Sequence, residues 1–222
     1  APLRISHFFP WQHVGDNLLD SLFGEFADNG GEALTTATVW SNRILGDPTF
    51  AATLRQKLAA HHLVMKDAHA PWSQPWDLDI LDDARRPLMI AGHRLCMSLL
   101  ADLGVRTYTM HVGAAPNYSN GGVHTDDLRA RSYQTLEALL PTAEAKGMII
   151  AVENAFEPSN TPEVVADCIR HFNSPHIACC LDIGHAHLMD ADAPRTIDQI
   201  KPGVREGAWN NHILLTPFAE AV

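Results

Sequence analysis

Residues 105–155 read, in succession, "VRTYTMHVG" (105–113), "TDDLRARSYQTLEALLPTAEAKG" (125–147) and "MIIAVENA" (148–155). The first and last are short β-branched or apolar runs. The middle one is long and amphipathic, opens on a threonine and closes on a glycine, which is the punctuation of a helix. A strand, a helix and a second strand in this order make a βαβ unit, and its strands lie parallel. Both strands end on a polar side chain, His111 in the first and Glu153 in the second. A carboxylate directly after "MIIAV" is costly to bury without a partner, so this strand exit calls for a counter-charge, a cation or a reaction.

The same alternation extends in both directions. Upstream, "LRISHF" (3–8) reads as a strand, "GDNLLDSLFGEFADNG" (15–30) as a helix closed by Asn29-Gly30, and "EALTTATVW" (32–40) as a second strand with its loop. "DPTFAATLRQKLAAHH" (47–62) is a helix with Asp47 as N-cap and Pro48 at the first helical position. "LVMKDAHAPW" (63–72) is a strand ending on His69, and "RRPLMIAGHRLCMSLLADLG" (85–104) is a helix stopped by Gly104. Downstream, "TPEVVADCIRHF" (161–172) is a helix with Pro162 at its first position. "HIACCLDIGHAH" (176–187) is a buried strand that leaves Asp182, His185 and His187 at its exit. After that the pattern weakens to a short helix in "APRTIDQI" and a last strand in "NHILLT".

Repeated strand and helix units imply an α/β fold, closed either as an open doubly wound sheet or as a (β/α)8 barrel. No G-x-G-x-x-G follows the first strand, which removes the main signature of dinucleotide binding and of a nicotinamide oxidoreductase, and favours the TIM barrel. No linker or low-complexity segment divides the chain, so residues 1–222 are expected to form a single TIM-barrel domain. Only seven strands are countable and the chain stops soon after the seventh, so the barrel is expected to be incomplete at its C-terminal end.

Composition narrows the function. The 222 residues carry a net charge of −10 with histidine neutral and show no Lys/Arg cluster, which disfavours a nucleic acid bound through its phosphates. No apolar run approaches the ~18 residues of a membrane span, and "APLRISHFFPWQ" has no basic region followed by an apolar core and cleavage site, so a soluble, cytoplasmic protein is expected. The cysteines Cys96, Cys168, Cys179 and Cys180 form no C-x-x-C and are expected as buried reduced thiols.

Barrel active sites lie at the C-terminal ends of the strands. His69, His111, Glu153, Asp182 and His185 fall at four successive strand exits, with His212 in "NHILLT" a further candidate. Barrel closure would bring these exits round one mouth, where carboxylates repel unless they share a cation. Mixed imidazole and carboxylate ligands suit Zn, Mn or Co as the divalent metal ion, whereas Ca²⁺ prefers an all-oxygen shell.

In this order, "HAPW", "HVG", "VEN" and "CLDIGHAH" resemble the xylose isomerase-like TIM-barrel superfamily, which holds sugar and sugar phosphate isomerases and epimerases together with endonuclease IV-type AP endonucleases. The resemblance runs from about His69 to His187. It implies Glu153 and Asp182 as metal ligands, with Glu153 also an acid/base in the epimerases, and His185 as a substrate-contacting or second metal-site residue. It implies His69 and His111 as residues lining the sugar pocket in isomerases, or as ligands of additional zinc ions in the endonucleases. For the family's histidine on strand seven "NHILLTPF" offers His212, or in another register Leu214, and Glu220 follows too closely to be the family's glutamate on a separate eighth strand.

Combining residues and resemblance, the expected metal set is Glu153, Asp182 and His212, the expected catalytic pair Glu153 and His185, and the expected substrate contacts His69, His111, Trp72 and His187. The expected function is a metal-dependent sugar or sugar phosphate isomerase or epimerase working through an ene-diolate. Its partner would be a small sugar, with no nucleic acid and no membrane, and a homo-oligomer is compatible with it. The alternatives are a catalytically silent barrel that binds a metal or ligand, and an AP endonuclease-like phosphodiesterase. Phe8, Phe9, Trp11, Trp72 and Trp76 offer an apolar wall for a sugar face, and the loop 117–127 a lid.

Overall fold

The computed structural model describes residues 6–8, 14–72, 75–112, 125–155, 161–182 and 185, and the backbone of 212–215. Among these residues seven strands form one sheet in strictly sequential order: β1 (His7–Phe8), β2 (Ala33–Thr36), β3 (Val64–His69), β4 (Thr107–His111), β5 (Ile149–Glu153), β6 (Ile177–Asp182) and β7 (His212–Leu215). Strands β1 to β6 pair parallel with their neighbours. Doubly wound sheets reverse their strand order at a switch point. An unreversed run is the wall of a barrel.

The connecting helices are α1 (Leu19–Asp28), α2 (Thr38–Gly46), α3 (Pro48–Ala60), α4 (Arg86–Leu103), α5 (Thr125–Lys146) and α6 (Pro162–Phe172). Their ends obey local chemistry. Asp47 accepts a hydrogen bond from the Thr49 amide at 3.0 Å ahead of Pro48, and Thr161 caps α6 through the Val164 amide ahead of Pro162. Gly104 ends α4 at φ +103°, a left-handed turn that a side chain would strain. The four cysteines are free and buried, and burial pushes the Cys96 and Cys168 thiols up to about 12.

Register explains how the sheet carries a site. Partners side by side in a parallel ladder share a face, and alternate residues swap faces. Ala68, Tyr108, Ile150 and Ile177 form one row, and Met110, Val152 and Cys179 another; all are buried in the apolar core shared with the helices. The opposite face carries His69 beside Thr109 and His111 beside Glu153 and Cys180, with Asp182 two residues beyond Cys180. The helices therefore cover an apolar surface, and the inner face is free to be polar.

Two elements differ from expectation. Residues 38–40, read as the end of a strand and its loop, instead open α2: Trp40, Ser41 and Ile44 are buried at helical spacing, and this packing overrides the strand propensity of Thr38 and Val39. Strand β7 runs antiparallel to β6, with His212 opposite Asp182 and Leu215 opposite Cys179. A βαβ crossover returns the chain to the far edge before the next strand starts. Here β7 instead begins beside the exit of β6 and runs back, and an antiparallel strand on an otherwise parallel sheet is a common variation. The segments "APRTIDQI" and 117–124 of the suggested lid lie outside the described residues, as do Phe9, Trp11 and Glu220.

Candidate functional site

Neighbouring strands stand about 4.8 Å apart, so side chains on β3 and β5 would miss each other on a flat sheet. Here the inner face is concave and they meet. Glu153, 1% exposed, sits at the centre. His111 Nε2 lies 3.5 Å from its Oε1, His69 Nε2 3.7 Å from its Oε2, and His185 Nδ1 3.3 Å from Oε1. Asp182, also 1% exposed, has its Oδ2 3.5 Å from His185 Nδ1. The carboxylates form the floor and the three imidazoles the rim. His69 and His111 stack edge to face at 5.2 Å, as do His111 and His185 at 6.0 Å.

The outer hydrogen bonds fix which ring nitrogens can take a cation. His69 Nδ1 lies 2.8 Å from the Ala70 carbonyl and 3.0 Å from Thr38 Oγ1. A carbonyl only accepts, so the proton is on Nδ1 and the Nε2 lone pair faces Glu153. His111 Nε2 is buried and has no hydrogen-bond partner among the described residues. His185 is arranged the other way. Its Nδ1 donates to the Asn154 carbonyl at 2.9 Å and therefore carries a proton beside both carboxylates. Burial by itself would favour the neutral ring; the hydrogen bond to Glu153 and the charges of Asp182 and Glu153 outweigh it, and the His185 pKa stands above its ordinary value.

Among the described residues, two triples have ligand atoms close enough to hold a metal, His69 with His111 and Glu153, and Glu153 with Asp182 and His185. The first offers the Nε2 edge of His69, the unpartnered Nε2 of His111 and a carboxylate, a donor set suited to Zn²⁺, Mn²⁺ or Co²⁺. The second presents an N–H where a ligand would need a lone pair.

Of the residues singled out in the sequence, His69, His111, Glu153, Asp182 and His185 converge. Trp72 joins them at the rim, 47% exposed with its ring 5.7 Å from that of His111. The backbone of His212 lies beside Asp182, and its side chain and His187 are outside the described residues. Trp76 turns away from the mouth and packs on His93 of α4, ring centres 5.5 Å apart. Sequence reading missed Thr38 and Asn154, which bind the site from behind; the "VEN" motif contained Asn154, but nothing in its spacing marked the amide.

A model of the xylose isomerase-like TIM barrel family matches residues 27–213, and the chain belongs to that family. Among solved structures it is similar to a D-psicose 3-epimerase determined in the presence of D-fructose: 18% identity, TM-score 0.66, covering 82% of this chain and 63% of that one. A 3-keto-D-glucoside 4-epimerase from E. coli in its apo form gives 12% identity and TM-score 0.66, covering 92% of this chain and 76% of that one. The IOLI protein, solved with a zinc atom bound, gives 19% identity and TM-score 0.63, covering 84% and 63%. The chain thus spans less than two thirds of the psicose epimerase and of the zinc-bound protein. No curated protein sequence matches it. Among the described residues, no helix is long and apolar enough to cross a membrane.

Proposed function

We propose that the protein is a divalent-metal-dependent isomerase or epimerase of a sugar or sugar phosphate. The observation that carries this reading is Glu153, buried at the meeting point of His69, His111, His185 and Asp182. Glu153, His69 and His111 would hold the cation, with Asp182, and His212 opposite it in register, as further ligand candidates. A bound cation of this kind supplies a Lewis acid for adjacent hydroxyl and carbonyl oxygens of the substrate.

The protein's own groups would then do the following. Glu153, a carboxylate with imidazoles against both oxygens, takes the proton from the carbon next to the carbonyl and returns it, through an ene-diolate. His185, anchored through its Nδ1 proton to the Asn154 carbonyl beside Glu153 and Asp182, would orient the reacting oxygens and, when protonated, stabilise negative charge as it develops. Trp72 covers one side of the rim and offers an apolar face to the sugar ring. One proton acceptor gives isomerisation between aldose and ketose, and acceptors on both faces give epimerisation. The family relatives solved with or named for ketoses and ketoglucosides support a carbohydrate over a nucleic acid, as does the net charge of −10.

The test is turnover of a panel of aldoses and ketoses with added Mn²⁺, Co²⁺ or Zn²⁺. Glu153→Ala and Asp182→Ala should lose both bound metal and turnover. Variants that keep both, or a protein that nicks abasic DNA and leaves every sugar unchanged, would overturn the proposal.

A further inference from the structure

The ladder between β5 and β6 ends at Glu153 and Cys180. One residue further, Asn154 is 0% exposed, and its side chain does what a strand backbone would do: Nδ2 donates to the Asp182 carbonyl at 2.8 Å, and Oδ1 accepts from the Asp182 amide at 2.7 Å. The Asp182 side chain in turn accepts from the His185 amide at 2.8 Å, through Oδ1. The His185 side chain donates from Nδ1 to the Asn154 carbonyl at 2.9 Å. The three residues thus form a closed cycle in which each side chain binds the main chain of the next.

We infer that Asn154 is a positioning residue that sets the exit of β6, and through it the carboxylate of Asp182 and the ring of His185, against Glu153. The inference rests on the proposed site for its purpose, while the cycle itself is independent of any metal. Asparagine suits the position because both Asp182 main-chain groups need a partner in a buried place, one a donor and one an acceptor. Aspartate keeps the acceptor, lacks the donor, and adds a third carboxylate beside two others. Alanine provides neither. The sequence gap of 28 residues between Asn154 and Asp182 makes this a tertiary fastening rather than a local turn.

Two readouts separate the inference from the function it serves. The first uses metal-free protein with ¹⁵N-labelled histidine: the His185 Nδ1 proton should be visible and slow to exchange in the natural protein, and should lose that protection in Asn154→Ala and Asn154→Asp. His93, whose Nε2 donates to the Trp76 carbonyl at 3.0 Å behind the sheet, is the internal control. A fold loosened throughout would release both protons, whereas the broken cycle releases only that of His185. The second is calorimetric titration with Co²⁺ alone, where both variants should bind about 10- to 100-fold more weakly, the range typical of lost outer-shell contacts. If neither variant changes His185 exchange, or both protons are lost together in the isosteric Asn154→Asp, the positioning role is overturned. If His185 responds as described and even the natural protein binds no Co²⁺, the cycle stands and the metal-dependent function fails.

Discussion

His93 offers a quantitative test of how the helices are tied to the back of the sheet. The ring lies on α4 and is fully buried between two partners: Nε2 donates to the Trp76 carbonyl, so Nδ1 is the acceptor and takes the Tyr108 hydroxyl of β4 at 2.9 Å. Burial lowers the His93 pKa from 6.5 to about 4, with the Trp76 bond opposing. The folded protein therefore resists protonation at pH values where the unfolded chain accepts it. The stabilisation is complete above pH 6.5 and is lost as pH falls toward 4, at about 1.4 kcal/mol per pH unit and about 3 kcal/mol in all. His93→Gln keeps a donor for Trp76, does not titrate, and leaves the Tyr108 hydroxyl without its acceptor, which costs about 1–3 kcal/mol at neutral pH. Urea unfolding of both proteins should show this deficit near pH 7.5 and its progressive shrinkage on acidification. Working with the difference matters because His185 has the opposite sign: its folded pKa is raised, so its contribution is present below 6.5 and fades as pH rises through the folded value. Two stability curves that stay parallel down to pH 4.5 would refute the account of His93 as a buried neutral ring.

Further outcomes are expected elsewhere. Gly104→Ala forces a side chain into the left-handed turn after α4, and chemical unfolding should show a loss of about 1–2 kcal/mol, although the added carbon itself meets only the Met65 carbonyl at 3.6 Å. Trp72→Ala removes an exposed rim residue; unfolding should change by less than about 0.5 kcal/mol, while KM for a turned-over sugar should rise about two- to tenfold. Leu100→Ala opens a cavity under α4, where the side chain is 0% exposed, and should cost about 2–5 kcal/mol in the same unfolding assay.

The alternation was legible because each unit carries its own local signals. Thr161 and Pro162 start a helix, Gly104 and Gly147 stop one, and "MIIAV" cannot be anything but buried. The polar strand exits were legible for the complementary reason, that His111 and Glu153 directly follow apolar runs and must find partners. What escaped depends on contacts between distant residues. Thr38 and Val39 favour a strand locally, and the burial of Trp40 and Ile44 makes their segment helical. The direction of "NHILLT" is set by where the chain re-enters the sheet, which no pattern within six residues encodes. Likewise the opposite roles of His69 and His185 follow from the main-chain carbonyls of Ala70 and Asn154. The sequence shows two histidines and not which nitrogen of each keeps its proton.

The central claim is that Glu153 gathers a cation between His69 and His111. Anomalous diffraction from crystals grown with Mn²⁺ or Zn²⁺, paired with elemental analysis of the dissolved protein, tests it most directly. The account predicts an anomalous peak within bonding distance of Glu153, His69 Nε2 and His111 Nε2, and its loss in Glu153→Gln. A peak elsewhere, or metal content that Glu153→Gln leaves unchanged, would contradict it.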